Sequence, residues 1–432
     1  MTSNKVRLGD IAEIVMGQSP KGDTCNNDGH GMPLLNGPTE FGTTHPYPTQ
    51  FTTDAKKISL VGDILFCVRG STTGRMNYGE QEYAIGRGIG AIRGKNGYST
   101  AFVKSVIESN LAGLLKIATG TTFPNLGKDA LNNFEVDIVD SDASKFVGQL
   151  AEQLENKIAS NKLMSQTLEK IAQRIFKSWF IDFDPTKANN QGIPFDGLSP
   201  EIQALFPNEF EDSELGGIPK GWEVSTVKQL QEKLSKGTTP RKKDVESAQD
   251  AASIPFIKVR NISDKGFIES ELETVAKSIH EGALKRSILQ SADLLFTIAG
   301  TIGRVAIVPD RLNNSNCNQA VCFIRLKDKS TYNNYLYLHL KSKRVQEQIS
   351  SKVVQAVQAN ASLQNINDIN FPLPPSKLME SWNKVSLPLF DRIKEIEKQN
   401  ITLKSLRDKL LPKLTSGQIS VGETKKHLAA TI

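Results

Sequence analysis

Leu60-Val61-Gly62-Asp63-Ile64-Leu65-Phe66 runs on to Gly70 and then to Gly74-Arg75. The same figure returns in the second half as Leu289-Gln290-Ser291-Ala292-Asp293-Leu294-Leu295-Phe296, followed by Gly300 and Gly303-Arg304. Each time an aspartate precedes a short apolar run, and glycines follow at turn spacing. A short apolar run bounded by glycine reads as a buried strand. Toward the N-terminus, each copy is preceded by an apolar-patterned segment, Leu8 to Val15 and Val227 to Leu234. A polar turn closes each segment, Gly17-Gln18-Ser19-Pro20 in one half and Gly237-Thr238-Thr239-Pro240 in the other. Toward the C-terminus, Arg87-Gly88 with Ile92-Arg93 answers Gln319-Ala320 with Ile324-Arg325, and Leu126 to Phe134 answers Leu363 to Phe371. The offset drifts from 219 (Leu8 to Val227) to 237 (Leu126 to Leu363), as small loop insertions produce. Matches kept in one order point to an internal duplication of a mixed α/β module, rather than two unrelated domains sharing common turn chemistry.

Each module runs into a long helical segment. Leu150, Leu154, Ile158, Asn161, Ser165, Leu168, Ala172, Ile175 and Trp179 follow an alternating four-three spacing, and so do Leu389, Ile393, Ile396, Asn400, Leu403, Arg407, Leu410 and Leu414. The two series match at an offset of 235 (Leu154 to Leu389). This spacing puts one apolar seam along a helix and predicts coiled-coil pairing of the two helices. Asp142 or Ser144 is the expected cap of the first helix, and Ser376 or Ser386 of the second. Pro388 would kink a helix begun at Ser376, and Pro412 should bend or fray its last turns. Asn161, Ser165, Asn400 and Arg407 are polar seam positions that cost stability and fix register. Leu150 to Phe180 would span about 46 Å as a helix, or roughly 13 base pairs of duplex. The heptads alone leave parallel and antiparallel pairing open.

Composition excludes several classes. The 432 residues exceed one ordinary core and predict two or three domains. A net charge of +6 is compatible with nucleic acid without pointing to it. Cys25, Cys67, Cys317 and Cys322 form no Cys-x-x-Cys and have no histidines clustered near them, which argues against zinc. The start, Met1 to Arg7, has no apolar signal core, and no apolar run approaches membrane-spanning length, so a cytoplasmic protein with reduced thiols is expected. No phosphate-binding Gly-x-x-x-x-Gly-Lys-Ser/Thr string occurs, Gly86-Arg87-Gly88-Ile89-Gly90 is not a dinucleotide fingerprint, and the Asn/Asp-Pro-Pro-Tyr/Phe string of an amino-methyltransferase is missing. Asp182-Phe183-Asp184 reads as a helix stop rather than a nuclease site.

A few strings are more particular. After the first helix comes Trp179-Phe180-Ile181-Asp182-Phe183-Asp184-Pro185, then a linker ending SELGGIPKGWEV (Ser213 to Val224). The second helix ends in KLLPKLTSGQI (Lys409 to Ile419). These strings, in a module-helix-module-helix order, resemble the specificity subunit of type I restriction-modification systems over almost the whole chain. Only Gly422 to Ile432, with Lys425-Lys426, falls outside the resemblance. It implies two target-recognition domains, 1–142 and 222–375, each reading one half of a split sequence in double-stranded DNA. It implies spacer helices at 143–183 and 376–421 that pack antiparallel about a pseudo-two-fold repeat, a linker at 184–221 and a tail at 422–432. Two methyltransferase subunits and two restriction subunits are the implied partners. They would supply catalysis with S-adenosylmethionine, ATP and magnesium, while this chain is expected to hold no cofactor or metal and to have no membrane contact.

Base reading requires polar and basic side chains on loops held by a rigid core. In the first module the candidates are Gln18, Ser19, Lys21, Arg69, Ser71, Thr72, Thr73, Arg75, Arg87 and the loop Thr119 to Asn125. In the second they are Lys236, Thr238, Thr239, Arg241, Lys242, Lys243, Lys258, Arg260, Asn261, Thr301, Arg304, Gln319 and Asn360. Neighbouring glycines are expected to let backbone approach phosphate. The loops differ between halves, Gln18-Ser19 against Thr238-Thr239 and Arg87 against Gln319, which predicts an asymmetric target. Two other readings stay open on the residues alone: solvated surface loops, and a stand-alone coiled-coil DNA-binding or scaffold protein.

Overall fold

The computed structural model describes residues 4–42, 45–120, 124–268, 271–354, 360–422 and 424. Thr121, Thr122 and Phe123 of the first-module loop, and Lys425-Lys426 of the tail, lie outside the described residues. The chain divides into two compact units: Met1–Lys162 with Gln399–Ile432, and Leu163–Lys398.

The first unit is built on an antiparallel sheet in the order Ala12–Met16, Ile89–Gly94, Ile64–Cys67, Met76–Tyr78, with Ala91 opposite both Val15 and Leu65. The second repeats that order with Gln231–Lys236, Val321–Leu326, Leu294–Thr297 and Val305–Ile307, with Ile324 opposite both Leu234 and Leu294. A strand pair closes each module, Asn4–Arg7 with Glu135–Ile138 and Glu223–Thr226 with Asn370–Leu373. A further sheet sets the modules apart. It has five strands in the first unit, around Met32–Leu35 and Tyr83–Ile85, and three in the second, around Ala252–Ile257.

The aspartate of the repeated figure explains the strand that follows it. Asp63 Oδ2 accepts from the Leu60 N–H at 2.8 Å and from Arg93 at 2.8 Å. Asp293 accepts from the Gln290 N–H at 2.8 Å, from Arg325 at 2.7 and 3.0 Å and from Lys329 at 3.1 Å. The aspartate closes a turn and neutralises the arginine of the neighbouring strand, so Ile64–Cys67 and Leu294–Thr297 can be wholly buried. A buried charge is tolerated only when paired in this way.

The C-terminal match needs a correction of two residues. Leu126 N–H bonds the Val68 carbonyl, and its structural counterpart is Ala361, whose N–H bonds the Ile298 carbonyl, both at 2.9 Å. Likewise the carbonyls of Phe134 and Ile369 receive the N–H groups of Leu8 and Val227. Leu126 to Phe134 therefore answers Ala361 to Ile369, not Leu363 to Phe371.

The long helices are Ser141–Phe180 and Ser376–Thr415, each of 40 residues. Such a helix is about 60 Å long. The cap of the first is Asp140, whose Oδ1 accepts from the Ala143 N–H at 2.8 Å, rather than Asp142 or Ser144. The helix stops before Phe183, which takes a left-handed φ of 56°, while Lys177 pairs with Asp182 and Ser178 bonds Asp184. The second helix begins at Ser376 and continues through Pro388 and Pro412. Pro388 removes the helical donor of the Lys384 carbonyl, and both residues are exposed. Within the first unit, Leu150, Ala151 and Leu154 share a core with Leu411 and Leu414, with Leu403, Leu406 and Leu410 packed against it. Within the second, Ala172, Phe176, Trp179 and Phe180 share a core with Trp382 and Phe390, and Ile175 and Leu389 pack beside them. Early residues of one helix meet late residues of the other and the reverse, so the pair is antiparallel. Phe176 (3% exposed), next to Ile175, packs its ring among Tyr335, His339 and Trp382. Ile158, Leu168 and Ile393 are half-buried, and Ile396 is fully buried. Asn161 is buried and donates to Asn400 Oδ1 at 3.1 Å.

Among the described residues, no helix is long and apolar enough to cross a membrane.

Candidate nucleic-acid interface

In the first module the edge strand Ala12–Met16 ends at Gly17, whose N–H bonds the Ile89 carbonyl at 2.9 Å. The next N–H, from Gln18, bonds the Ile85 carbonyl at 2.8 Å. A Cβ on Gly17 would lie 2.2 Å from the Gly86 carbonyl oxygen. The glycine is therefore required by chain packing inside the module. The turn then exposes Gln18, and Ser19 Oγ accepts from the Arg87 N–H at 3.3 Å.

The second module builds the same corner. Gly237 N–H bonds the Val321 carbonyl, Thr238 N–H bonds the Cys317 carbonyl, and a Cβ on Gly237 would lie 2.1 Å from the Cys317 carbonyl oxygen. Thr239, the counterpart of Ser19, donates to Gln319, the counterpart of Arg87. In both modules the structure brings the polar turn and the residue after the sheet crossover together.

Around the first corner stands the turn Arg69 to Arg75. Gly70 at φ 98° and Gly74 at φ 97° make it possible, and Gly300 and Gly303 do the same in the second module. Arg69 reaches Asn125 at 3.4 Å, Thr73 donates to the Pro124 carbonyl at 2.9 Å, and Arg75 reaches the Pro38 carbonyl at 3.4 Å. Arg69, Ser71, Arg75, Arg87 and Lys21 are exposed, and Thr72 is half-buried. Gln18, Ser19, Arg69, Arg75 and Arg87 thus belong to one surface. Asn36 and Gln50, bonded to each other at 2.9 Å, join it: the Asn36 carbonyl lies against Gly88. No motif marks these two residues; only the fold brings them here.

The second surface is more self-satisfied. Lys236, Thr238, Thr239, Arg241, Lys242, Lys243, Thr301, Gln319 and Asn360 are exposed. Lys258 and Arg260, however, both bind Glu273, the former at 2.6 Å. The Lys258 hydrogen bond, with the charge of Arg260 beside it, holds the Glu273 carboxyl below its usual range. Arg304 is fixed by Asp264 at 2.5 Å and by the Ile262 carbonyl at 2.9 Å. Asn261 is withdrawn altogether. It is 5% exposed, and its Oδ1 accepts from the Lys258 N–H, closing a turn rather than facing a ligand.

Cys67, Cys317 and Cys322 are buried and all four thiols are free; burial pushes the Cys317 and Cys322 thiols well up. Among the described residues no His, Cys, Asp and Glu cluster could hold a metal. The surfaces described are suited to hydrogen bonding and charge contact with an extended polar ligand.

Two copies of one α/β module, each carrying a polar corner and each followed by a long helix, define a duplicated recognition protein. Comparison with known proteins gives that class its family. The type I restriction modification DNA specificity domain matches twice, over residues 2–173 and 219–402, and the chain belongs to that family. It is 28% identical over 316 residues to the type I restriction enzyme MjaIX specificity subunit of Methanocaldococcus jannaschii, a match covering 72% of this chain and 66% of that one. It is 25% identical over 361 residues to the HindI specificity subunit of Haemophilus influenzae, covering 74% and 75%. The S subunit of the type I system from M. genitalium has the same fold across 96% of both chains, with a TM-score of 0.56 at 14% identity.

Proposed function

We propose that this chain reads a bipartite, asymmetric duplex target in the cytoplasm, one half per module, and docks two methyltransferase and two restriction subunits that perform the chemistry. The single observation that carries this reading is the pair of matched corners with unlike side chains. Ser19 with Arg87 and Thr239 with Gln319 occupy the same positions on the same scaffold. Arginine suits the O6 and N7 edge of guanine, and glutamine the N6 and N7 edge of adenine. Unlike corners on like scaffolds favour unlike half-sites. The helices would set the gap between half-sites and carry the partners, which would use S-adenosylmethionine, ATP and magnesium; the chain itself would bind none of these. Mapping methylated adenines in cells with and without this gene tests the proposal. Loss of a two-part motif with a fixed gap is expected. Methylation unchanged by the deletion would overturn it, as would methylation by the purified chain without partners.

A further inference from the structure

The strand Ala12–Met16 that delivers the Gln18-Ser19 turn also walls an open groove of about 490 Å³. Lys57, Lys95 and Lys128 line it, with Glu13 and Asn132. The three lysines come from separate elements. Lys57 precedes the strand Ile58–Ser59, Lys95 follows the strand Ile89–Gly94, and Lys128 opens the short helix Lys128–Asn132. All three are exposed, and none forms an ion pair with a described residue. The one lining carboxylate, Glu13, lies 3.9 Å from Arg93. Backbone bonds join the groove to the reading corner: Ile85 donates to the Lys57 carbonyl and receives from the Gln18 N–H, while Lys95 donates to the Ile11 carbonyl at the far end of the strand.

Unpaired ammonium groups spaced along a concave edge suit a ligand with a row of negative charges. Lysine acts on phosphate as a point charge and lacks the flat fork with which arginine reads a base. Met16, the last strand residue before the reading turn, lines the groove, so a strand whose bases met Gln18 and Arg87 would carry its backbone past it. We infer that the groove holds backbone phosphates beside the first half-site, outside the bases that are read. This rests on the DNA-reading function proposed above. Two of the three positions differ in the second module. Lys327, the counterpart of Lys95 by its N–H bond to the Leu230 carbonyl, turns its Nζ to the Gln229 carbonyl at 3.0 Å. Leu363 opens the short helix where Lys128 does in the first module.

The test compares the full chain with a Lys57→Gln/Lys95→Gln/Lys128→Gln variant on two duplexes of equal length, one containing the mapped target and one lacking it. Each phosphate contact contributes about 0.9 to the slope of log affinity against log salt. Three lost contacts lower that slope by about 2.7, so the wild-type advantage shrinks about 40-fold between 50 and 200 mM salt. The loss should be the same on both duplexes, and a triple arginine variant should restore it. Wild type that binds neither duplex defeats the DNA-reading proposal itself. Wild type that binds, beside a glutamine variant with an unchanged slope, overturns only the groove. So does a loss confined to the target duplex, or a variant that binds DNA normally but fails to assemble with the methyltransferase subunits.

Discussion

Arg75 and Arg304 occupy the same place in the two modules and are put to different use. Arg75 is exposed, with one long contact to the Pro38 carbonyl, whereas Arg304 is tied to Asp264 and the Ile262 carbonyl. The corners differ in the same sense. The first keeps Arg87 free at its tip and has a lysine-lined groove beside it. The second answers three of its basic residues internally, with Glu273 against Lys258 and Arg260 and Asp264 against Arg304, while Lys236, Arg241 and Lys243 stay exposed. The four-stranded sheet is repeated, with Ile92 between Ile14 and Ile64 as Ile324 is between Leu234 and Leu294, and the corners on it differ in which charges the fold has already satisfied. A duplicated frame can vary what it binds while its four-stranded sheet and the buried aspartate–arginine pair across it are kept.

That shared pair gives the largest expected effect. Asp293 is fully buried and its partner Arg325 nearly so, while Arg93 in the first module keeps 22% of its side chain exposed. Asp293→Ala leaves a buried guanidinium uncompensated and should cost about 3–5 kcal/mol. Asp63→Ala should cost less, about 1–3 kcal/mol, because Arg93 retains water and Glu13. Urea unfolding of the two variants measures both, and equal losses would break the comparison.

A second difference is pH dependence. His339 lies among Phe176, Tyr335 and Phe371, and burial, with the nearby charge of Arg344, lowers its pKa to about 3. The unfolded chain takes up this proton near pH 6.5 and the folded chain does not until about 3. Stability contributed by neutral His339 is therefore full above pH 6.5 and falls as pH drops toward 3. The slope from this group is up to about 1.4 kcal/mol per pH unit. The corresponding helix of the first module, Thr100–Ser109, contains no histidine. His339→Phe should flatten the fall in urea stability between pH 7 and 5; a variant as pH-sensitive as wild type would contradict this.

The smallest effect concerns the seam. Asn161 pairs with Asn400 in the first unit, while the residues at the duplicated positions are Ile396 and Ser165. Asn161→Ala should cost about 1 kcal/mol by orphaning its partner. Replacing both asparagines with leucine should restore or raise the thermal midpoint, since polar seam residues trade stability for register. A double variant less stable than the single one would show that the pair contributes more than register.

Much of this arrangement is legible in the sequence because it rests on local pattern. The heptad spacing locates both helices, and the aspartate-plus-glycine figure locates the turns that shape both corners. What is not legible depends on distant partners. Asn261 and Arg304 look like ligand-facing residues until the fold supplies a turn to cap and Asp264 to bind. Phe176 falls outside the four-three spacing and is buried because an aromatic cluster from other elements surrounds it. Asn36 and Gln50 carry no motif, and only a crossover from another sheet brings them beside Arg87. The helix runs on through Pro388 at an exposed position, which the spacing of apolar residues does not reveal.

The central claim is that the two corners read different halves of one target. Genome-wide maps of methylated adenine for Arg87→Ala and for Gln319→Ala, each carried in place of the wild-type gene, test it most directly. The expected result is relaxed base preference in one half-site for the first variant and in the opposite half-site for the second, with the gap unchanged in both. Relaxation of the same half by both variants, or a motif unaltered by either, would contradict it.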